Sequence, residues 1–139
     1  SLELRKYSIL EKLFFSKLTP QIENSYMFNN ARIDPHTDYS RKLISLMLYF
    51  PDEDLNEKNK ASLGTVFYKS KLKNKDSGHL ESTEKKNLFF QNSEKICQLP
   101  FEKKTLYGFI RSSKSWHAVE EFNLSNNFVR KSLNINLYI

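Results

Sequence analysis

The chain has 139 residues, 39% of them hydrophobic and 27% charged, with a formal net charge of +6. That size and balance fit one globular domain over residues 1–139. No apolar run is long enough to span a bilayer, no signal-peptide stretch follows Ser1-Leu2-Glu3, and the single cysteine, Cys97, excludes an internal disulfide. The cysteine count fits a reducing compartment, so a cytoplasmic location and no membrane partner are expected. The chain opens on Ser1 rather than Met, which leaves room for missing residues upstream.

Residues 2–18 read as a helix, because Leu2, Tyr7, Leu10, Leu13 and Phe14 follow roughly helical spacing with charges between them. Thr19-Pro20 ends it, placing an N-terminal helix within 1–20. Residues 22–33 are mixed and Asn-rich, which predicts extended chain with a turn at Asn29-Asn30. Asp34-Pro35 then holds the backbone extended into His36. Residues 42–50 are the clearest buried strand. Leu43, Ser45, Met47 and Tyr49 share one face and Ile44, Leu46, Leu48 and Phe50 the other, so both faces are expected to be covered.

Residues 61–68 (ASLGTVFY) predict another strand, in which Gly64 permits a bend or close approach. Residues 69–87 are polar and lysine-rich and read as a mobile loop or lid. Short strands are expected at 88–90 and 96–99 and a longer one at 105–111. A polar loop then leads to Trp116-His117-Ala118-Val119. Over 129–139, Arg130, Ser132, Asn134, Asn136 and Tyr138 alternate with Lys131, Leu133, Ile135, Leu137 and Ile139. The apolar set needs a covered side, and the polar set faces water or a polar cavity. Many short strands, one early helix and no βαβ rhythm predict a mainly β, antiparallel double-sheet barrel or jelly roll with the helix packed outside. The lysines are scattered or grouped in expected loops, without a nucleic-acid-binding motif, and read mainly as a solvated surface.

Side chains two apart on a strand share a face, so His36 and Asp38 can reach one point. A distant imidazole, His117, completes a set of two histidines and one carboxylate. Such a set holds non-haem Fe(II) and leaves positions open; it also suits catalytic zinc. His79 is the rival third ligand. Arg130 and Ser132 share a strand face and suit the far carboxylate of a dicarboxylic acid, with Arg111 as the rival anchor. Singly, each residue has a plainer reading. His36 can be a surface histidine, Asp38 a turn former after Pro35, His117 a packed neighbour of Trp116, and Arg130 a surface ion-pair partner.

Taken in order, the motifs are His36-x-Asp38, a hydrophobic strand ending in Tyr49-Phe50, Gly64-Thr65-x-Phe67-Tyr68, Ser115-Trp116-His117-x-Val119 and Arg130-x-Ser132. The series resembles the 2-oxoglutarate and Fe(II)-dependent dioxygenases, in their prolyl-4-hydroxylase-like branch, over residues 33–139. The resemblance implies a double-stranded β-helix core there. It implies Fe(II) held by His36, Asp38 and His117, and 2-oxoglutarate held by Arg130 with Ser132, Tyr49 and Asn134 beside it. It also implies O2 as co-substrate, ascorbate as a candidate accessory reductant, and hydroxylation of an unactivated C–H bond with release of succinate and CO2. No catalytic residue beyond the metal ligands is implied. The pattern departs from the family's in one strand, where Leu63-Gly64 stands for a frequent Gly-Gly pair. The competing functions are a jelly-roll binding module without turnover and a basic nucleic-acid-binding domain. The partner expected is a small-molecule or peptide substrate, with its identity and the oligomeric state left open.

Overall fold

The computed structural model describes residues 17–72, 78–80, 82–124 and 127–139. The helix expected over residues 2–18 lies almost wholly outside them. The described residues are mainly β and form two antiparallel sheets. The first has the order β1-β9-β3-β7, with β1 Thr19–Phe28, β9 Val129–Tyr138, β3 Lys42–Tyr49 and β7 Leu106–Ile110. The second has the order β5-β2-β8-β4-β6, with β5 Gly78–His79, β2 Ile33–Thr37, β8 Trp116–Val119, β4 Val66–Ser70 and β6 Ser93–Gln98. Two short helices complete the set, α1 Glu57–Leu63 and α2 Thr83–Gln91.

The turn expected at Asn29-Asn30 is present. Asn30 takes a left-handed φ of 63°, a conformation Asn tolerates better than most residues, and Ala31 N–H closes the turn on Phe28 O at 3.0 Å. Gly64 serves the predicted close approach. A Cβ there would lie 1.7 Å from Leu99 O, where Leu99 N–H donates to Thr65 O at 2.9 Å.

Two stretches differ from the sequence reading. Residues 61–63 close helix α1 rather than open a strand, because Asn56 caps that helix by accepting from Asn59 N–H at 2.9 Å. Residues 83–90 are helical, capped by Ser82 accepting from Lys85 N–H at 3.2 Å, so neither a loop to residue 87 nor a strand at 88–90 exists. The apolar run Leu88-Phe89-Phe90 is too short for periodicity to separate strand from helix. The 69–87 region thus contains the end of β4, the short β5 and the start of α2, with 73–77 and 81 outside the described residues.

Helix α2 lies over the second sheet. Its Phe89 is fully buried among Val66, Tyr68, Trp116 and Ala118, with ring centroids 4.7 Å from Trp116. Between the two sheets lies the main core of Met27, Met47, Tyr49, Leu63, Phe101, Val119, Phe122 and Phe128. In β3, Leu43, Ser45, Met47 and Tyr49 are buried as expected. The opposite face is only half-buried, and its neighbours Ile22, Tyr26, Leu106 and Ile110 are exposed, so coverage of both faces holds fully for one.

Two β-bulges shape the space between the sheets. In the β2–β8 pair, Ile33 faces Val119 and His36 faces His117, three residues against two. The extra residue turns both Ile33 and His36 inward and sets the two histidines directly opposite. In the β3–β9 pair, Lys42 faces Tyr138 and Ile44 faces Leu137, two residues against one. Regular alternation would send Lys42 outward with Ile44. The bulge instead places it on the inner side with Tyr138 and Asn136.

Candidate functional site

A cavity of about 330 Å³ opens between the sheets, lined by His36, Asp38, His117, Tyr49, Arg130, Ser132 and Asn134 among others. The structure therefore brings every site residue of the sequence reading to one space. One ligand atom from each of His36, Asp38 and His117 lies within 4.8 Å of the other two. The imidazole centroids are 4.3 Å apart. His36 Nε2 is 4.0 Å from Asp38 Oδ1, and His117 Nε2 is 3.8 Å from Asp38 Oδ2.

Both rings are oriented from behind. His36 Nδ1 sits 2.9 Å from Asp34 O, and His117 Nδ1 sits 3.0 Å from Ser115 O. A carbonyl can only accept, so each Nδ1 carries the proton. In a neutral ring the Nε2 lone pair is then directed to the cluster, the tautomer a metal requires. Bonds of about 2.1 Å at right angles would place donors about 3 Å apart. The spacings, 3.8 and 4.0 Å to Asp38 and within 4.8 Å overall, need closure by about one to two ångströms; the donor set itself, two imidazoles and a carboxylate, fits a divalent cation.

Asp38 is held from several sides. Ser45 Oγ donates to Oδ2 at 2.9 Å, Lys42 Nζ donates to Oδ1 at 2.9 Å, and Arg111 Nε donates to its main-chain oxygen at 2.9 Å. Burial alone would raise the carboxyl pKa. The attraction of His117 and Lys42, with hydrogen bonds from Lys42 and Ser45, outweighs burial and holds it below the usual 3.8. Arg111 thus supports the backbone at Asp38, just past the end of β2. The His79 backbone pairs with His36 across β5–β2; its side chain lies outside the described set.

At the other end, Arg130 is 2% exposed. Its Nε donates to Leu63 O at 2.6 Å, Nη1 reaches Met27 Sδ at 3.7 Å, and the guanidinium lies 5.2 Å from the Tyr49 ring and 5.3 Å from the Phe101 ring. Burial pulls its pKa below the usual value while the Tyr49 hydroxyl opposes this; arginine nevertheless remains a cation. None of the ion pairs among the described residues involves it. A buried cation surrounded by neutral groups is costly unless an anion joins it. Tyr49 Oη accepts from Thr65 N–H at 3.1 Å and shares a 2.7 Å hydrogen bond with Thr65 Oγ1. Ser132 pairs with Tyr49 across the β9–β3 ladder, on the same cavity wall.

The sequence reading left out Lys42, Ser45, Thr65, Phe109 and Asn136 as site residues. Ser45 carried a signal, a small polar side chain between Leu43 and Met47 on a largely apolar strand face. Phe109 lies against His117, with ring centroids 4.6 Å apart and tilted by 56°. Trp116 is packing: it faces Phe89 and donates Nε1–H to Leu72 O at 3.1 Å.

No family model matches this chain, and no curated protein matches its sequence at a significant level. Among the described residues no helix is long and apolar enough to cross a membrane.

Proposed function

We propose that the chain is an Fe(II)- and 2-oxoglutarate-dependent dioxygenase of the prolyl-4-hydroxylase-like kind, built on a double-stranded β-helix. One observation carries the proposal: a cluster of two histidines and a carboxylate shares its cavity with a buried guanidinium whose partners among the described residues are all neutral. The strand order supports the fold, because β1, β3, β7 and β9 form one sheet while β2, β4, β6 and β8 interleave in the other.

His36, Asp38 and His117 would hold the metal on one side and leave the cavity side open. Fe(II) bound there would supply O2 activation coupled to oxidative decarboxylation of 2-oxoglutarate, giving succinate, CO2 and a hydroxylated substrate. Arg130 would take the far carboxylate of 2-oxoglutarate through charge-assisted hydrogen bonds. Tyr49 and Ser132 would add hydroxyl contacts, and Asn134 would line the passage toward the metal. Met47, Phe109 and Val119 give this passage apolar walls. Zinc suits the same three donors, but hydrolytic zinc has no use for a buried arginine, and this favours iron.

Purified protein incubated with Fe(II), 2-oxoglutarate, ascorbate and O2 is expected to form succinate slowly even without primary substrate. Omission of iron should abolish it. Tight 2-oxoglutarate binding with no succinate, even with iron and reductant, would favour a binding module.

A further inference from the structure

The cavity has a cation at each end. Along β9 the inward residues run Arg130, Ser132, Asn134, Asn136 and Tyr138. Their β3 partners run Tyr49, Met47, Ser45 and Lys42, from Ser132 onward. Asp38 bonds Ser45 and Lys42, so the histidine–carboxylate cluster lies between Arg130 and Lys42. Lys42 is inside only because of the β3–β9 bulge, and its side chain is 12% exposed. Bulges commonly re-aim a side chain beside a functional site.

We infer that Lys42 is the anchor for a carboxylate of the primary substrate, made available when a metal ion takes Asp38. This rests on the proposed metal and 2-oxoglutarate sites. Asp38 Oδ1 binds the Lys42 ammonium at 2.9 Å, and Oδ2 binds the neutral Ser45 hydroxyl at 2.9 Å. A dication at the cluster draws on the same carboxylate charge and repels the ammonium. Lys42 is too enclosed to be fully hydrated, so it needs another anion. Among the described residues the one other carboxylate lining the cavity belongs to Glu23, which is exposed and accepts from Asn136 Nδ2 at 3.4 Å. A ligand carboxylate placed among Lys42, Asn136 and Ser45 satisfies the ammonium, with the rest of the ligand toward the metal. The substrate class is therefore one that carries a free carboxylate. Metal and substrate affinities are then coupled, each strengthening the other.

The test uses Mn(II) as a redox-silent metal, saturating 2-oxoglutarate to fill the Arg130 end, and acetate as probe. Proton relaxation of acetate by bound Mn(II) reports its residence near the metal, with acetamide as the neutral control. The expected result is strong relaxation of acetate and little of acetamide, with the acetate effect retained in K42R and reduced roughly tenfold in K42M. K42Q serves if K42M does not fold. In parallel, K42M should bind Mn(II) roughly tenfold more tightly than the parent, because the ammonium no longer competes for Asp38. Equal acetate relaxation in parent and K42M means direct metal coordination and overturns the inference. Weaker Mn(II) binding by K42M means that Lys42 only props Asp38, and absence of any acetate effect means that it turns to Glu23; either result also overturns it. Failure of the underlying reading is separable, since Mn(II) or 2-oxoglutarate binding would then be missing in the parent protein, and the inference falls with it.

Discussion

Arg130 and Lys42 are both enclosed cations of one cavity, yet they are stabilised differently. Lys42 has its counter-charge within the chain, Asp38 at 2.9 Å. Arg130, more deeply buried, has a carbonyl, a thioether and aromatic rings. A satisfied pair of charges needs no further partner. A cation left among neutral groups at 2% exposure is held at a cost, and the cost is recovered when an anion arrives. In the metal-free protein the difference separates a cation already paired within the chain from one whose anion must come from outside.

The largest effect should come from the cluster between them. H36A or D38A should weaken Mn(II) binding by more than about a hundredfold, above the range seen for supporting residues alone, as read by calorimetry or electron paramagnetic resonance. Next, R130M should weaken 2-oxoglutarate binding to the Mn(II)-loaded protein by roughly 2–5 kcal/mol, or thirtyfold to several thousandfold. The same variant should leave the ligand-free protein as stable as the parent or more so, because an apolar side chain replaces an uncompensated charge. A large loss of stability in R130M would make Arg130 structural and erase the contrast with Lys42.

K42M should behave oppositely, costing on the order of 3 kcal/mol in the metal-free protein because it leaves the Asp38 carboxylate without its cation. Asp38 has a folded pKa below the usual 3.8, so its contribution is present above that value and is lost as pH falls through the lower folded one. Urea unfolding followed from about pH 5 to pH 2 should show the parent losing stability on acidification and K42M losing less of it. The smallest effect is expected from Y49F, which removes the hydroxyl bonded to Thr65 N and Oγ1 and should cost about 1–3 kcal/mol, with a few-fold rise in the 2-oxoglutarate Kd.

The arginine end of this cavity was more legible in sequence than the lysine end, and the reason is strand periodicity. Arg130, Ser132 and Asn134 follow an unbroken period of two, so their common face could be read directly. His36 and Asp38 were legible from their spacing of two, although β2 ends at Thr37 and Asp38 follows it. Lys42 lies where the period fails. A bulge shifts the β3 register by one residue, and nothing local in Arg41-Lys42-Leu43 announces it; the shift is a property of the pairing with β9. Helix α2 was missed because Phe89 alone carries its burial, while Leu88 and Phe90 are exposed. Its Ser82 cap was the signal available. The long strands β3 and β9 were read to within a residue, since their patterns run for eight and ten residues.

The central claim is that a metal at His36, Asp38 and His117 and a diacid at Arg130 occupy the cavity together. Anaerobic addition of 2-oxoglutarate to the Fe(II)-loaded protein tests it most directly, through the visible charge-transfer absorption of a keto acid chelated to iron. The band should appear in the parent protein, saturate at one equivalent of iron, and be absent in H36A. Fe(II) binding without the band, or an unchanged band in R130M at the same 2-oxoglutarate concentration, would contradict it.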